Sequence, residues 1–173
     1  MARRFLSLKS AAVLLIVGSS LLFSTNSFGM LKLCLFSPVR GIVVLNGQPV
    51  AGAVIERTCD WRVKETDQTV TDERGEFSLP GIYSWLGIVQ LMPHEPVIHQ
   101  QILIKHERAI YNAWSLTKHE YGEFAELNIA ASRGVLPNLN GKSIYLYCEL
   151  TIEPKNHGGV WGYGGLAELR QLK

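Results

Sequence analysis

Lysine and arginine barely outnumber aspartate and glutamate in this sequence, 17 to 15, which gives a formal net charge of +2. No block of basic residues is interleaved with aromatic residues, so the chain lacks the electrostatic footprint of a nucleic-acid-binding protein. A net charge this small also predicts little electrostatic steering of acidic partners. The apolar content of 47% nevertheless predicts a folded core and excludes a disordered chain.

Recognisable catalytic and metal-binding motifs are missing as well. His94, Glu95 and His99 suggest a zinc protease, but the histidines of that motif lie four residues apart on one helical turn. Here they lie five residues apart, and Pro96 between them excludes a helix. The chain has no Gly-x-Ser-x-Gly motif, and its glycines lack the Lys-Ser/Thr of a phosphate loop. We therefore predict no catalytic residue, no metal and no cofactor, and we place His94 and Glu95 on a turn.

The N-terminal residues resemble an export signal. Arg3 and Arg4 form a positive end, and an apolar stretch follows at residues 11–23. Ser27 and Gly29 place small residues at the positions that a signal peptidase reads, so we predict cleavage after Gly29 and export of the protein. The apolar stretch is short for a membrane span, which needs about 20 apolar residues. The alternative is an uncleaved anchor, which would then be the protein's contact with the inner membrane.

Three cysteines are present, and export would place them where disulfides persist. Three cysteines allow one bridge and one spare thiol. We predict a bridge between Cys59 and Cys148, because both lie next to predicted strands, whereas Cys34 lies in the segment that leads into the domain. A lipidation site at Cys34 is disfavoured by the preceding Lys32 and Leu33. The alternative is that all three cysteines are small buried hydrophobic residues.

Short apolar or alternating runs bounded by turn residues predict an all-β chain. Gly41–Leu45 is typical of a buried strand, and Ala53–Thr58 would pair back on it. Asn46 and Gly47 between them favour a hairpin turn, because both tolerate positive φ. No segment keeps a helical period over twelve residues or more, so we expect an antiparallel β-sandwich of about eight strands. Further strands are predicted at 67–71, 76–79, 86–92, 97–104, 108–116, 124–129 and 144–150.

The chain divides into a leader at residues 1–29 and a single sandwich domain at residues 30–173. Near its end, residues 157–165 are dense in glycine and contain two aromatic residues. This segment is interpreted as a flexible arm, a final irregular strand or the lip of a ligand site. Trp85 and Trp114 lie within or beside apolar strands, so we expect both in the core.

Aromatic residues on loops are the best functional lead in the sequence. Trp61 lies in a polar segment, and Trp161 and Tyr163 lie among the glycines of the tail. Exposed aromatic side chains on loops suit the recognition of proteins or sugars. The alternative is that these rings pack over the ends of the sandwich. The candidate binding residues are therefore Trp61, Trp161, Tyr163, His94 and Glu95.

Two runs of residues resemble a known module. The run NGQPVAGAV at 46–54 and the run TVTDERGEFSLP at 69–80 resemble the carboxypeptidase-regulatory-like domain, which is transthyretin-like or prealbumin-like. The resemblance spans residues 40–80, about a quarter of the chain. It implies an Ig-like or prealbumin-like sandwich that acts as an accessory or binding module without catalytic residues. The part of the chain from Ile82 onward is longer and contains more aromatic residues than the usual module of this kind.

A second resemblance covers nearly all of the chain after the leader. Residues 34–38, residues 91–98, Trp114 and residues 148–151 resemble an uncharacterised domain family of Gram-negative bacteria. This resemblance implies a bacterial protein, and export would then deliver it to the periplasm. It carries no biochemical role with it.

Together these observations predict an exported, non-enzymatic protein-interaction module of the periplasm. One form of it is an immunity protein that neutralises a toxin delivered into the periplasm. The first alternative is a module that binds a carbohydrate of the cell envelope. The second is a hydrolase with an unrecognised site. The expected partner is another protein or an envelope glycan, and not a nucleic acid.

Overall fold

The computed structural model describes residues 31–86, 96–127, 144–157 and 163–170. Regular structure in these residues is almost entirely β, and they contain no helix long and apolar enough to cross a membrane. The predicted leader and most of the predicted strand at 86–92 lie outside them. The strands are β1 (Leu31–Phe36), β2 (Val39–Leu45), β3 (Gln48–Pro49), β4 (Val54–Trp61), β5 (Val63–Val70), β6 (Glu76–Leu79), β7 (Ile82–Leu86), β8 (Ile98–His106), β9 (Ala109–Lys118), β10 (Ile144–Glu149), β11 (Lys155–His157), β12 (Tyr163–Gly165) and β13 (Glu168–Leu169).

These strands form a β-sandwich, as the sequence predicts. The small sheet has the order β13-β10-β2, and β3 and β6 share the other edge of β2. The large sheet has the order β11-β12-β9-β8-β4-β5, and β1 and β7 form a separate two-stranded ribbon. Each described strand pair is antiparallel except β2 with β10, which is parallel. The strands outnumber the expected eight because several of them are only two or three residues long.

One core joins the two sheets and the ribbon. Burial alternates along β4 and β8, so that every second side chain points inward. Each fully buried Ile, Leu or Val contributes about 1.5–3 kcal/mol relative to an exposed one. The least exposed apolar members include Leu33, Leu35, Phe36, Val39, Val43, Ile55, Ile98, Ile102, Ile104, Trp114, Ile144 and Leu146.

Three expectations about the core and the strands are wrong. The segment expected to pair back on β2 is β4, which instead pairs with β5 and β8 in the large sheet, and the second arm of the hairpin is the short β3. Trp114 is buried on β9 as expected, but Trp85 is 55% exposed. Trp85 belongs to β7, which pairs with Lys32 and its neighbours in the ribbon instead of joining a core sheet. Residues 124–127, expected as the start of a strand, form a short helical turn in which the N–H of Leu127 donates to the carbonyl of Phe124 at 2.9 Å.

The predicted turn at Asn46 and Gly47 is confirmed, with positive φ at both residues (52° and 76°). The carboxylate of Glu149, at the end of β10, accepts hydrogen bonds from both of their N–H groups at 2.9 and 2.8 Å. It also accepts from the N–H and the hydroxyl of Thr151 at 3.2 and 2.9 Å. One side chain therefore fastens the β2–β3 hairpin to the strand beside it.

Glu149 should make the stability of the fold depend on pH. Burial alone would raise its pKa, but the hydrogen bonds from Gly47, Thr151 and Asn46 lower the pKa below the usual value. Because the folded pKa is the lower one, the stabilisation is complete above the unfolded pKa of about 4.3. It is lost as the pH falls through the folded pKa.

We expect Glu149→Gln to lower the free energy of unfolding at neutral pH by about 1–3 kcal/mol, because the neutral amide receives weaker hydrogen bonds. Urea unfolding at several pH values measures this difference. The gap between the wild type and the variant should close in acid. Glu153→Gln, at an exposed glutamate close by in the chain, is the matched control. A gap that stays constant down to acid pH would contradict the role of the carboxylate charge.

β12 approaches β9 very closely at Gly165. Gly165 has a φ of +139°, and a Cβ built on it would lie 2.2 Å from the carbonyl oxygen of Ala113. The N–H groups of Leu166 and Ala167 donate to the carbonyls of Asn112 and Ala113 at 3.0 and 3.1 Å. The contact therefore requires glycine at this position.

Candidate functional site

Tyr163, one of the predicted binding residues, lies on β12 of the large sheet and is buried in the core. Its ring stacks on Trp114 at a centroid distance of 4.5 Å and on His157 at 4.6 Å, with interplanar angles of 16° and 12°. The three rings form a stack that fastens β11 and β12 to β9. This position corresponds to the packing alternative for Tyr163, because its two faces are already covered.

Trp61, another predicted binding residue, is half-buried at the end of β4. Its ring meets Tyr121 edge to face at 5.7 Å, and the guanidinium of Arg62 lies 4.5 Å from its centroid. Arg62 occupies the turn between β4 and β5 with a φ of 57°. Trp61 is therefore a strand residue packed against the core, and not a loop residue. The other predicted binding residues, Trp161, His94 and Glu95, lie outside the described residues.

The three cysteines are free and buried, and the structure contains no bridge between Cys59 and Cys148. Cys59 lies on β4 of the large sheet and Cys148 on β10 of the small sheet. Burial, with a smaller effect of Glu65, raises the pKa of Cys59 to about 12. Burial also raises the pKa values of Cys148 and Cys34. All three therefore remain neutral thiols near pH 7, which is unfavourable for a nucleophile.

The outer face of the large sheet carries an exposed apolar row at one end. Cross-strand pairing places Val70, Val54, Lys105 and Ile110 side by side on four successive strands. Ile110 is 65% exposed and Val70 is 54% exposed. The ammonium group of Lys105 lies 2.7 Å from the carboxylate of Glu56, so the charge within the row is paired. We call these four residues the apolar row.

The other end of this outer face is polar. His99 Nδ1 lies 3.1 Å from the hydroxyl of Thr117. An imidazole beside a hydroxyl is two thirds of a catalytic triad. Among the described residues, however, no ion pair or hydrogen bond joins His99 to a carboxylate, and no cluster of His, Cys, Asp and Glu could hold a metal. A shallow depression of about 250 Å³ here is lined by Thr58, Asp60, Lys64, His99, Gln100, Gln101, Ser115, Leu116 and Thr117.

A larger open cleft, of about 530 Å³, lies where β6 and the end of β5 approach each other. Within the described part of the chain, Arg40 has no ion-pair partner. Burial, with a smaller effect of Glu76, raises the pKa of Tyr145. The cleft therefore combines an unpaired cation with an aromatic ring. Its lining is formed by Arg40, Gly41, Thr69, Val70, Asp72, Glu76, Phe77, Ser78 and Tyr145.

The acidic residues of the cleft are already engaged. Glu76 forms an ion pair with Arg74 at 2.8 Å. One carboxylate oxygen of Asp72 accepts hydrogen bonds from the N–H groups of Arg74 and Glu76 at 2.9 and 2.8 Å. These contacts hold the turn before β6, so Arg40 is the charge that is left to meet a ligand.

A buried polar cluster, which the sequence did not indicate, connects the ribbon to the large sheet. Glu126 accepts hydrogen bonds from the N–H and hydroxyl of Ser37 at 3.0 and 2.7 Å. Gln100 donates to Glu126 at 2.8 Å, and the ammonium group of Lys118 lies 3.2 Å from the same carboxylate. Lys118 also donates to the carbonyl of Cys34 at 3.1 Å. Because each of these groups is satisfied and shielded from solvent, the cluster is structural.

Lys118 is the last residue of β9 and is fully buried, although lysine is rarely buried unless it is paired. One signal in the sequence could have revealed this burial. Side chains alternate between the two faces of β9, and this alternation points Lys118 at the end of the strand toward the core. The alternation runs through Trp114, Leu116 and Lys118, but it does not indicate Glu126, the partner that compensates the charge.

The fold and these surfaces define an all-β sandwich domain with an apolar row on its outer face and a mixed-charge cleft. Residues 39–153, well over half of the chain, match the family described as a domain of unknown function, DUF6795, and the chain belongs to this family. The match runs from the start of β2 to just beyond β10, so it takes in strands of both sheets. Neither a search of curated proteins nor a search of solved structures found a match.

Proposed function

We propose that this protein is an exported, non-enzymatic protein-interaction module of the bacterial periplasm. The observation that carries the proposal is the apolar row on the outer face of the large sheet. Two strongly exposed aliphatic side chains, Val70 and Ile110, lie in one line with paired charges beside them. Exposed apolar area with a polar rim is typical of surfaces that bind other proteins.

Three further features support a binding role over catalysis. The cysteines are buried neutral thiols. His99 contacts a hydroxyl without a carboxylate partner in the described residues. The likeness of residues 40–80 to the carboxypeptidase-regulatory module also favours a module that presents a surface. One concrete form is an immunity protein that occupies a toxin delivered into the periplasm.

The envelope-glycan alternative receives less support. It requires exposed rings on which a sugar can stack, and it relied on Trp61, Trp161 and Tyr163. Tyr163 is covered on both faces and Trp61 is half-buried against Tyr121. A protein partner is therefore the better candidate.

Affinity capture tests the proposal directly. The tagged protein is mixed with envelope extract and with proteins secreted by competing bacteria, and we expect one protein to be retained in a fixed ratio. Ile110→Asp should reduce retention at least about tenfold, because it places a charge in the apolar contact. Val63→Asp is the matched control, since Val63 is 70% exposed at the far end of β5 and outside the row. Equal retention by Ile110→Asp and the wild type would count against this surface.

A further inference from the structure

The cleft lies between two unpaired strand edges. Among the described strands, β5 is the last strand of the large sheet, and β6 is the last strand on its side of the small sheet. Both contribute to the lining of the cleft. A free strand edge offers backbone N–H and C=O groups that an extended chain can pair with.

The hydrogen-bond pattern shows which groups of β6 are free. The N–H of Val43 donates to the carbonyl of Gly75 at 2.8 Å, so these two residues form a hydrogen-bonded pair. In an antiparallel ladder such pairs alternate, and Phe77 therefore points its backbone groups toward β2. The backbone groups of Ser78 then point away from β2, toward the free edge. Those of Glu76 are already bonded to Asp72 at 3.0 and 2.8 Å.

The same reasoning identifies the free groups of β5. The N–H of Thr71 donates to the carbonyl of Ala53 at 3.0 Å, so the backbone groups of Val70 point away from β4. Farther along β5, Glu65 and Asp67 lie on the core side of this edge strand. Inward-pointing charges of this kind discourage an added strand. Ser78 on β6 is therefore the better position for pairing, with Val70 as the opposite wall.

Arg40 supplies the charge that selects the ligand. It is the direct cross-strand neighbour of Ser78 on β6 and of Tyr145 on β10. Its guanidinium is exposed and has no ion-pair partner among the described residues. Arginine binds carboxylates through paired, charge-assisted hydrogen bonds.

We propose that this cleft binds an extended peptide. The peptide backbone pairs with the N–H and C=O of Ser78, and a peptide carboxylate binds Arg40. The ring of Tyr145 and the side chain of Val70 contact its apolar atoms. The carboxylate is either the C-terminus of the peptide or an acidic side chain. This site shares Val70 with the apolar row but does not include Ile110, so Ile110→Asp tests the partner surface without altering the cleft lining.

The experiment uses an array of random eight-residue peptides probed with the full chain. One half of the array has free C-termini and the other half has amidated C-termini. Within each half, one set of peptides contains Asp and Glu and a second set lacks them. Binding that is lost on amidation identifies the C-terminal carboxylate, and binding that is lost without Asp and Glu identifies a side chain. Binding unchanged in both comparisons would overturn the role of the carboxylate.

Two variants and their matched controls test the named contacts on the peptides selected. Arg40→Gln should weaken binding at least about tenfold, whereas Arg108→Gln, at an exposed arginine in the turn between β8 and β9 and outside the cleft lining, should not. Ser78→Pro removes the outward N–H without removing a bond to β2, because proline is tolerated at a sheet edge. Ser78→Ala keeps that N–H and should bind like the wild type.

Thermal unfolding followed by circular dichroism confirms that each variant is folded before it is scored. Ile110→Asp should leave peptide binding unchanged, which separates this site from the partner surface. An array without any bound peptide would overturn the proposal. Equal binding by the wild type, Arg40→Gln and Ser78→Pro would overturn it as well.

Discussion

Replacing Glu126 with glutamine is expected to lower the free energy of unfolding by about 3–5 kcal/mol. The substitution keeps the shape of the side chain but leaves the ammonium group of Lys118 buried without a counter-charge. Removing one partner of a buried ion pair typically costs this much, because the remaining charge stays out of water. Since a domain of this kind has a total stability of about 5–15 kcal/mol, the loss should be easy to measure.

Urea unfolding followed by tryptophan fluorescence measures the effect, and two comparisons make it specific. Glu168→Gln breaks an ion pair with Arg170 in which both side chains are about half exposed, and it should cost less than about 1 kcal/mol. The double variant Lys118→Met with Glu126→Gln removes both charges and should recover part of the loss. A Glu126→Gln protein within 1 kcal/mol of the wild type would show that the cluster tolerates an unpaired lysine.

Replacing Gly165 with alanine is expected to destabilise the protein by about 2–5 kcal/mol. The added Cβ would overlap the carbonyl of Ala113, and alanine strongly disfavours a φ of +139°. Backbone strain and forced repacking each cost about 1–3 kcal/mol. The distortion falls on the strand that carries Tyr163, so the stack of Tyr163 on Trp114 should loosen as well.

Gly164→Ala is the matched control for this prediction. A Cβ at Gly164 would have its nearest neighbour at 3.9 Å, which is an ordinary contact distance. We expect Gly164→Ala to unfold within about 1 kcal/mol of the wild type, and near-ultraviolet circular dichroism should report the loosened rings in Gly165→Ala alone. Equal stability of the two variants would mean that β12 can move away from β9 without cost.

The features that the sequence predicted correctly are local. The hairpin turn at Asn46 and Gly47 depends on two adjacent residues, and the strand before the turn depends on a short apolar run. The sandwich class follows from such runs and from the lack of a helical period. Trp114 was expected in the core for the same reason, and its strand places it there.

The features that were missed depend on which strands become neighbours. Trp85 lies in an apolar run like that of Trp114, but its strand forms a ribbon with β1 and leaves the ring exposed. Lys118 is charged, yet Glu126 and a carbonyl oxygen compensate its burial. Neither outcome can be obtained from a window of consecutive residues.

The candidate site is where sequence reasoning was weakest. It favoured aromatic residues because of their type, and Tyr163 proved to be covered by two other rings. The cleft is formed by residues of unremarkable type, such as Ser78 and Arg40, from strands that meet through the fold. A free backbone edge leaves no mark on the amino-acid sequence, because every residue except proline carries the same groups.

Because β2 pairs in parallel with β10, the small sheet cannot be completed until the residues of β10 are available. A polypeptide is synthesised from its N-terminus, so β2 exists long before Ile144–Glu149 is available. Until then, one long side of β2 stays unpaired beside an apolar surface that includes Val39 and Val43. Contacts between residues this distant along the chain slow folding. Until β10 is available, β2 therefore presents an unpaired strand edge, which is the kind of edge that other chains can pair with.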